Sequence, residues 1–384
     1  MKKNIEEKMI AIIFLGIMYG ICFSHLKTHV SDFLNVAKAT IKEGITLSNI
    51  EKARDLYEEK DEALYTQQEI WIEGYGLVQR TLGKREINNF ELLKDGSGQL
   101  YMPLTKSNID KEAVAQVEKL NRYCEGKEIS FLFVQLPYKN YDNIKELQNY
   151  GNDSTEEDFD WFVEKVKTKG ISCLDLREDE KTKQYYRTDH HWTVEASFYA
   201  AKDIADRMTG LIGQVIDMEV YEGEKYETEI YKEAFLGSYG IKVGKYYAGE
   251  DDFSLLIPNF PTRLKYEHRI DGELILAKSG DFEESFIDKE LLENKGYHNK
   301  YNALLHGGYV ENIIYNELAK NETKVLVIGH SYGRSLVQYL GLGVQELRYL
   351  DPQDGRYNEN ILEYIEKYEP DIVIDMYNQK LNLG

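Results

Sequence analysis

The sequence has too few cysteines to be organised by disulfide bonds. It contains three, at positions 22, 124 and 173, in a chain of 384 residues. Their spacing fits no zinc or redox motif, and an odd number cannot form a fully paired framework. We therefore expect buried free thiols, with a Cys124–Cys173 bridge as the alternative. A chain of this length can instead bury the substantial core of one large domain or of two ordinary ones.

Positive charge is also scarce. The chain has 47 lysine and arginine residues against 67 aspartate and glutamate residues, which gives a formal net charge of −20. A surface this acidic repels phosphate backbones, so nucleic acid is not an expected partner. Solubility and residence outside the cell explain the acidity. Tyrosine, in contrast, is abundant at 30 residues. Because its ring can stack on a sugar, this excess weakly favours a carbohydrate ligand.

An apolar run without charge lies near the N-terminus. Residues 9–23 read MIAIIFLGIMYGICF and follow Lys2, Lys3 and Lys8. The run is short for a spanning helix, which needs ~20 residues, and suits a signal-peptide core or a short anchor. A buried core helix is the alternative. Lysines before the run predict a cytoplasmic N-terminus, and no convincing cleavage site follows. We predict an uncleaved single-pass signal anchor at 1–27, with the remaining chain outside the cytoplasm.

The rest of the chain divides into a polar helical part and an alternating part. In residues 28–90, apolar residues recur at helical spacing, which predicts a stalk or an N-terminal helical segment. From 91 to 384, apolar strands alternate with helices. The predicted strands cover 129–137, 171–178, 344–351 and 371–378, the predicted helices cover 111–126, 158–170, 194–208 and 358–370, and 323–340 reads as strand, turn and helix. This alternation predicts a parallel sheet with helices on both faces. Residues 212–300, rich in short β-like pieces, predict an insertion.

A serine lies at the end of one predicted strand. In VLVIGHSYGRS, residues 325–335, the strand runs into Gly329, His330 and Ser331, and a helix follows. Ligands bind at the carboxyl ends of parallel strands, where a helix start offers unpaired N–H groups. A serine there can serve as an acyl-transfer nucleophile whose own N–H stabilises the oxyanion. The alternative is a helix N-cap, because the segment lacks the second glycine of a nucleophile elbow.

A second polar segment offers a base for that serine. RTDHHWTVEA, residues 187–196, places Asp189 and His191 two positions apart, hence on the same side of an extended segment. The carboxylate can then accept the Nδ1 proton of His191 and leave Nε2 as a base. We predict that His190 points away from His191 and is structural. Trp192 is predicted to pack and hold the histidine.

Two other interpretations of this segment remain open. Asp-His-His also occurs in the DHH phosphoesterases, where it binds manganese together with further aspartate and histidine motifs. Here no histidine lies between His29 and His190 to supply the upstream motifs. A purely structural Asp-His pair is the other alternative. Ser331 and the Asp189–His191 pair are both predicted at the loop ends of an α/β sheet. Together they favour a site in which Ser331 is the nucleophile, His191 is the base and Asp189 orients the base, with no metal.

The same segments resemble a known family. YYRTDHHWTVEASFYAA, residues 185–201, resembles the signature of the DHHW-motif proteins, which are similar to the alginate O-acetyltransferase group of AlgJ and AlgX. The serine strand at 324–333 and the closing helix and strand also match, so the resemblance spans roughly residues 90–384. It implies an α/β, SGNH-hydrolase-like (flavodoxin-like) fold. Two positions depart from the pattern. His330 replaces a frequent aspartate, and Tyr309, in LLHGGYVEN, replaces an asparagine of the oxyanion site.

The resemblance implies a function and a set of site residues. Ser331, His191 and Asp189 would catalyse O-acetyl transfer to a polysaccharide that is secreted or part of the bacterial cell envelope. Gly307, Gly308, Tyr309 and Tyr332 would bind the oxyanion or substrate. No metal or cofactor would be needed, because a membrane-bound O-acyltransferase would supply the acetyl group. The alternatives are a carbohydrate esterase with the same residues and a catalytically inactive polysaccharide-binding relative.

Overall fold

A computed structural model describes residues 71–377, apart from a few short segments. The segments left out are 104–110, 140–143, 146, 148–149, 151–152, 295–298, 309, 353–355 and 358–359. The predicted signal anchor at 1–27 and most of the predicted stalk therefore lie outside the described residues. Among the residues that are described, no helix has both the length and the apolar character needed to cross a membrane.

The described elements alternate as the sequence predicts. Residues 75–81 are helical. The strands are β1 (Glu86–Ile87), β2 (Leu92–Lys94), β3 (Leu100–Tyr101), β4 (Ser130–Gln135), β5 (Cys173–Asp175), β6 (Tyr226–Phe235), β7 (Asp251–Pro258), β8 (Leu264–Ile270), β9 (Glu273–Gly280), β10 (Glu311–Asn316), β11 (Lys324–Ile328), β12 (Glu346–Leu350) and β13 (Ile372–Tyr377). The helices are α1 (Lys111–Gly126), α2 (Thr155–Thr168), α3 (Val194–Ile212), α4 (Ser238–Val243), α5 (Lys245–Ala248), α6 (Phe282–Phe286), α7 (Lys289–Glu293), α8 (Gly333–Leu340) and α9 (Ile361–Tyr368).

The central sheet is mixed, which corrects the prediction of a parallel sheet. Its strand order is β5-β4-β13-β11-β12-β10-β8-β9. The first five strands are parallel to one another. Strands β10, β8 and β9 continue the sheet in antiparallel fashion. Because β8 and β9 come from the predicted insertion, that segment supplies one edge of the main sheet. Its other two strands, β6 and β7, form a separate antiparallel pair.

Helices cover both faces of the parallel part, as predicted. On one face, α3 and α8 pack against alternate strand residues such as Leu132, Val327 and Ile374. On the other face, α1, α2 and α9 pack against the intervening residues, such as Phe133 and Ile328. Strand side chains alternate between faces, so strands buried on both sides must be apolar throughout. This explains why the predicted strands read as continuous apolar runs.

The described cysteines carry free thiols. Cys124 in α1 is buried, Cys173 in β5 is partly exposed, and neither forms a disulfide. The prediction of free thiols is thus confirmed for these two residues, and the alternative Cys124–Cys173 bridge is wrong. Burial raises the pKa of both thiols, to about 12 for Cys124 and about 11 for Cys173. Cys22 lies outside the described residues.

A buried carboxyl group in the central strand β13 should make stability depend on pH. Asp375 is fully buried, and within the described part of the chain neither of its carboxyl oxygens has a hydrogen-bond partner. Burial raises its pKa from an ordinary 3.8 to about 7. Between these values the folded protein keeps a proton that the unfolded chain releases. Taken alone, this group makes the free energy of unfolding fall as pH rises from about 4 to about 7, a contribution that the buried neutral side chains of His190 and His330 oppose.

Asp375→Asn should remove that contribution to the slope. The variant should match the wild type near pH 4 and be more stable above pH 7, by up to about 4 kcal/mol. Urea unfolding at a series of pH values measures this difference. Glu164→Gln, an exposed change on α2, is the matched control and should leave the slope unchanged. An Asp375→Asn variant with the wild-type slope would contradict the assignment of a neutral carboxyl group.

Candidate active site

Ser331 lies where β11 ends and α8 begins. The turn between them is tight: a side chain added at Gly329 would meet Met376 at 2.7 Å, and one added at Gly333 would meet Tyr349 at 2.8 Å. Helix α8 has no side-chain cap, so Ser331 is not the N-cap that was its alternative interpretation. No acceptor in the described part of the chain takes its backbone N–H. The serine thus presents a hydroxyl and an unpaired N–H at the carboxyl edge of the sheet.

The structure brings Asp189, His191 and Ser331 together. Ser331 Oγ lies 2.8 Å from His191 Nε2. On the other side of the imidazole, His191 Nδ1 lies 2.5 Å from Asp189 Oδ1. The same carboxylate oxygen accepts the His191 backbone N–H at 2.8 Å. These distances form one continuous hydrogen-bonded chain from carboxylate to hydroxyl, the arrangement in which a serine is activated as a nucleophile.

The environment of Asp189 fixes its charge. Burial opposes ionisation, but the charge and hydrogen bonds of His191 outweigh it, so the pKa of Asp189 is lowered. Its second oxygen, Oδ2, accepts the Ser238 N–H at 2.5 Å. The backbone here comes so close that a side chain at Gly237 would lie 2.2 Å from Asp189 Cβ. The insertion therefore supplies part of the site, which sequence reasoning missed.

A second acidic residue of the insertion holds the backbone before Asp189. Asp251, at the start of β7, accepts the N–H groups of Arg187 and Thr188 at 2.9 and 2.8 Å. It also accepts the Thr188 hydroxyl at 2.6 Å. That hydroxyl in turn accepts the Gly237 N–H at 2.8 Å. No local pattern in the sequence links these residues, because they are some 50 to 64 positions apart.

A buried lysine, Lys139, holds the same backbone segment through three hydrogen bonds. Lys139 Nζ donates to the carbonyl oxygens of Tyr186, Arg187 and Asp189 at 2.7, 3.0 and 3.1 Å. Burial lowers the pKa of Lys139 to about 7, with nearby Asp251 acting in the opposite direction. Three acceptors require three hydrogens, so the ammonium form makes this clamp. Sequence reasoning missed Lys139, although its position just after β4 places it at the carboxyl edge of the sheet.

Lys139→Met should disrupt the position of Asp189 and His191. Methionine fills a similar volume but donates no hydrogen bond, which leaves three buried carbonyl oxygens unpaired. We expect the free energy of unfolding to fall by about 1–3 kcal/mol. Turnover of an activated acetyl ester should fall about 10²-fold, as for other small misplacements of catalytic groups. Urea unfolding and initial rates measure the two effects.

The control for this change is Lys202→Met, which removes an exposed lysine on α3. It should alter neither stability nor rate. If Lys139→Met keeps the wild-type rate despite lower stability, the clamp supports the fold without positioning the site.

Two aromatic rings flank the His191 imidazole. The Tyr301 ring stacks on it with centroids 4.1 Å apart and an interplanar angle of 16°. The His190 ring lies 3.9 Å away, so the prediction that His190 points away is wrong. His190 Nδ1 lies 2.8 Å from Ser238 Oγ, which ties this ring to the insertion. Burial lowers the pKa of His190 to about 3, so it stays neutral.

Trp192 and Tyr332 join the two halves of the site. Trp192 Nε1 donates to the Tyr332 carbonyl at 3.2 Å and to Ser335 Oγ at 3.0 Å. Tyr332 is buried, and its hydroxyl donates to the His190 carbonyl. These bonds fix the histidine segment against the serine turn, which is the holding role predicted for Trp192. Because its ring and hydroxyl are both engaged, Tyr332 has a packing position rather than the predicted substrate contact.

The predicted oxyanion donors of the glycine pair are already occupied. The N–H of Gly307 donates to the Leu304 carbonyl at 3.1 Å, and that of Gly308 donates to the Leu305 carbonyl at 2.8 Å. Gly307 has a positive φ of 70°. A side chain at Gly308 would lie 2.2 Å from the Tyr266 hydroxyl. Backbone conformation and packing thus require the two glycines, and the oxyanion prediction for them is wrong in this conformation. Tyr309 lies outside the described residues.

Two polar residues near the serine offer other contacts. Arg334, three residues after Ser331, donates its backbone N–H to the Ser331 carbonyl at 3.2 Å. It is half-buried, donates to Asn302 Oδ1 at 2.8 Å, and has no carboxylate partner among the residues described. Asn302 follows Tyr301, the residue that stacks on His191. His330, in contrast, is fully buried, and burial lowers its pKa to about 3. It is therefore a neutral packing residue.

The geometry does not suit a metal ion at the histidines. Asp189, His190 and His191 have ligand atoms within 4.8 Å of one another, and no other such group of at least three occurs in the described part of the chain. However, Asp189 Oδ1 and His191 Nδ1 are 2.5 Å apart. Ligands about 2.0–2.2 Å from one ion lie roughly 3 Å apart or more. With Asp189 Oδ2 bound to Ser238, the carboxylate is committed to the hydrogen-bonded chain.

Comparison with known proteins supports the predicted resemblance. The sequence model of the SGNH hydrolase-like domain of the acetyltransferase AlgX matches residues 98–243, which contain Asp189 and His191. None of the curated proteins matches the chain significantly. The resemblance to this acetyltransferase domain is thus confirmed at the level of its SGNH hydrolase-like domain.

Solved structures are similar in fold. Bacillus cereus PatB1, in a structure with a sulfonyl adduct, is similar with a TM-score of 0.62 and 19% identity over 78% of this chain and 97% of PatB1. A DHHW family protein from Eubacterium siraeum DSM 15702 is similar with a TM-score of 0.53 and 17% identity over 74% of this chain and 89% of its own. At these identities the likeness establishes the fold.

Proposed function

We propose that this protein is an extracytoplasmic O-acetyltransferase that moves an acetyl group onto a polysaccharide. The observation that carries the proposal is the chain of hydrogen bonds from Asp189 through His191 to Ser331, at 2.5 and 2.8 Å. The match to an acetyltransferase domain and the DHHW-like fold support it. The intact chain of bonds also favours an enzyme over an inactive polysaccharide-binding relative.

The geometry supports a two-step transfer. Ser331 Oγ attacks the acetyl carbonyl of the donor while His191 Nε2 takes its proton. The bond from the carbonyl carbon to the donor then breaks, and His191 protonates the departing group. A sugar hydroxyl next loses its proton to His191 and attacks the acetyl-serine. The ester bond to Ser331 breaks, and the proton returns to Oγ. Asp189 holds His191 in the tautomer that both steps need.

Charge that develops on the acetyl oxygen needs hydrogen-bond donors. The Ser331 N–H, which no described residue accepts, is one donor. Arg334, three residues after Ser331 in the chain, offers a second, cationic donor. Each such donor is worth about 10²–10³ in rate. Stacking on the Tyr301 ring also favours the imidazolium that His191 forms in each step.

Trapping of the acyl-enzyme tests the proposal. A sulfonyl fluoride and an activated acetyl ester should each modify Ser331, as shown by intact mass and peptide mapping. Modification of another residue, or no modification, would contradict the assignment of Ser331 as the nucleophile. The activated ester also separates transfer from hydrolysis: an added polysaccharide should become acetylated at the expense of free acetate. Release of acetate alone, whatever glycan is added, would identify an esterase.

Chelation should leave activity unchanged. After dialysis against a chelator, the protein should hydrolyse the activated ester at the same rate as before, because the hydrogen-bonded Asp189 and His191 need no metal ion. Initial rates before and after dialysis measure this. A loss restored by manganese would instead favour the phosphoesterase interpretation, and phosphoesters should then be tested as substrates.

The location of the reaction forms part of the proposal. The predicted anchor at 1–27 would hold the domain at the outer face of the cell membrane. A membrane-bound O-acyltransferase would then pass the acetyl group across the bilayer to Ser331. Co-purification of such a protein with the full chain, and its loss when the segment 1–27 is replaced by a cleaved signal peptide, would support this arrangement.

A further inference from the structure

An open groove lies on the face of the sheet opposite α8. Its volume is about 930 Å³, a size typical of ligand sites. The floor is formed by β8, β10 and β12, and the wall by α9 together with Arg356, Tyr357 and Asn360. It exists because the antiparallel strands extend the sheet beyond the helices that cover this face. Since Tyr315, Tyr357 and Tyr364 line it, we call it the tyrosine groove.

Two of these tyrosines are held in fixed positions. Their hydroxyls donate to the buried Glu311 carboxylate, from Tyr357 at 2.8 Å and from Tyr364 at 2.5 Å. The two rings are perpendicular, with centroids 5.7 Å apart. Both side chains are partly exposed to the groove. Aromatic surface that is already ordered binds a ligand at low cost in conformational entropy.

Most charged side chains of the groove form ion pairs, whereas the Glu311 carboxylate accepts the two tyrosine hydroxyls. Arg269 lies 2.7 Å from Glu267, and Lys367 lies 2.7 Å from Glu363. Arg348 bonds Glu346 at 2.9 Å, and its guanidinium lies 4.1 Å from the Tyr368 ring centroid. This pairing leaves no strong field of one sign to attract a charged polymer. Planar polar groups beside exposed rings suit a ligand with many hydroxyl groups and apolar C–H faces, which describes a neutral sugar chain.

The groove reaches the same edge of the sheet as the serine. Glu311 pairs with Leu350, which pairs with Ile328, three residues before Ser331. Neighbouring strands are about 4.8 Å apart, so two strand spacings, or roughly 10 Å, separate the start of β10 from the end of β11. A sugar chain of several residues can span that distance around the edge.

We propose that the tyrosine groove is a second glycan-binding site, which holds a neutral stretch of the polysaccharide while another part meets Ser331. The choice of a glycan as occupant rests on the proposed function. The groove would retain the polymer between transfers, so it would affect binding of long acceptors and leave the chemical step unchanged.

Calorimetry with the full chain in detergent tests this. The probes are neutral hexasaccharides of glucose, galactose, mannose and N-acetylglucosamine, and a hexauronate for comparison. We expect at least one neutral probe to bind with an affinity unaffected by salt between about 50 and 500 mM. Tyr357→Ala should weaken that binding at least about tenfold, as expected for an aromatic anchor. Tyr357→Phe, which keeps the ring, should retain most of it.

Two further variants distinguish a specific loss of glycan binding from misfolding or a non-specific loss of binding. Arg269→Ala changes the opposite side of the groove and should also weaken binding, whereas Tyr246→Ala, an exposed tyrosine outside the groove, should not. Acetylation of Ser331 by a small activated ester should be the same in all variants, which separates failure of the groove from failure of the proposed function. Binding of no neutral probe, binding only of the hexauronate, or wild-type affinity in both Tyr357→Ala and Arg269→Ala would overturn the proposal.

Discussion

Ser331→Ala is expected to abolish acyl-enzyme formation and to lower turnover of an activated acetyl ester by about 10⁶-fold, the size seen when the nucleophile of a catalytic triad is removed. The only side-chain bond of Ser331 among the described residues runs to His191 Nε2. An alanine therefore removes the attacking oxygen and one hydrogen bond. The free energy of unfolding should change by no more than about 0.5–1.5 kcal/mol.

Intact mass after treatment with a sulfonyl fluoride, together with initial rates, measures the effect. Ser279→Ala, which changes an exposed serine on β9, is the matched control and should be modified like the wild type. Retention of full esterase activity by Ser331→Ala would end the nucleophile assignment, whatever the fold resemblance.

Asp189→Asn should have the second largest effect, a rate loss of about 10⁴. The carboxylate accepts a hydrogen bond from the His191 Nδ1–H group at one oxygen and from the Ser238 backbone N–H at the other. If the amide nitrogen of asparagine faces His191, the imidazole must carry its proton on Nε2 and cannot accept one from Ser331. If it faces Ser238 instead, two donors meet at 2.5 Å. Either orientation removes the base or strains the site.

Rates of ester turnover and of sulfonyl-fluoride labelling report this loss, because both require the deprotonated serine. Asp252→Asn, at the exposed neighbour of Asp251, should be silent in both. A variant at Asp189 that keeps activity within tenfold of the wild type would show that His191 needs no carboxylate, and the triad would have to be reduced to a pair.

The fold class and the candidate site residues Asp189, His191 and Ser331 were accessible from the sequence because their signals are local. Apolar runs separated by amphipathic helices predicted a sheet covered on both faces, and α1 at Lys111–Gly126 has the predicted bounds. Asp189 and His191 are two positions apart, so their hydrogen bond depends on one short segment. Ser331 follows a strand directly. Their catalytic roles remain predictions, while their distances are observed.

The errors concern what surrounds these residues. Gly307 and Gly308 were predicted to bind an oxyanion from their sequence alone, but their N–H groups close a turn. Tyr332 looked available beside the serine, yet its ring packs on Trp192 with centroids 5.3 Å apart. His190 was predicted to turn away, because alternation holds for a regular strand, and this segment is irregular.

By itself, the sequence determined which segments form strands and helices and which short motif pairs a carboxylate with a base. Only the tertiary structure decided that β8, β9 and β10 run antiparallel and leave the tyrosine groove open. It also decided that Lys139, Ser238 and Asp251 hold the Asp189 segment in place. The contacts of Lys139, Ser238 and Asp251 with this segment join residues some 50 or more positions apart. Periodicity reports the burial and conformation of a segment, but carries no information about which distant segment packs against it.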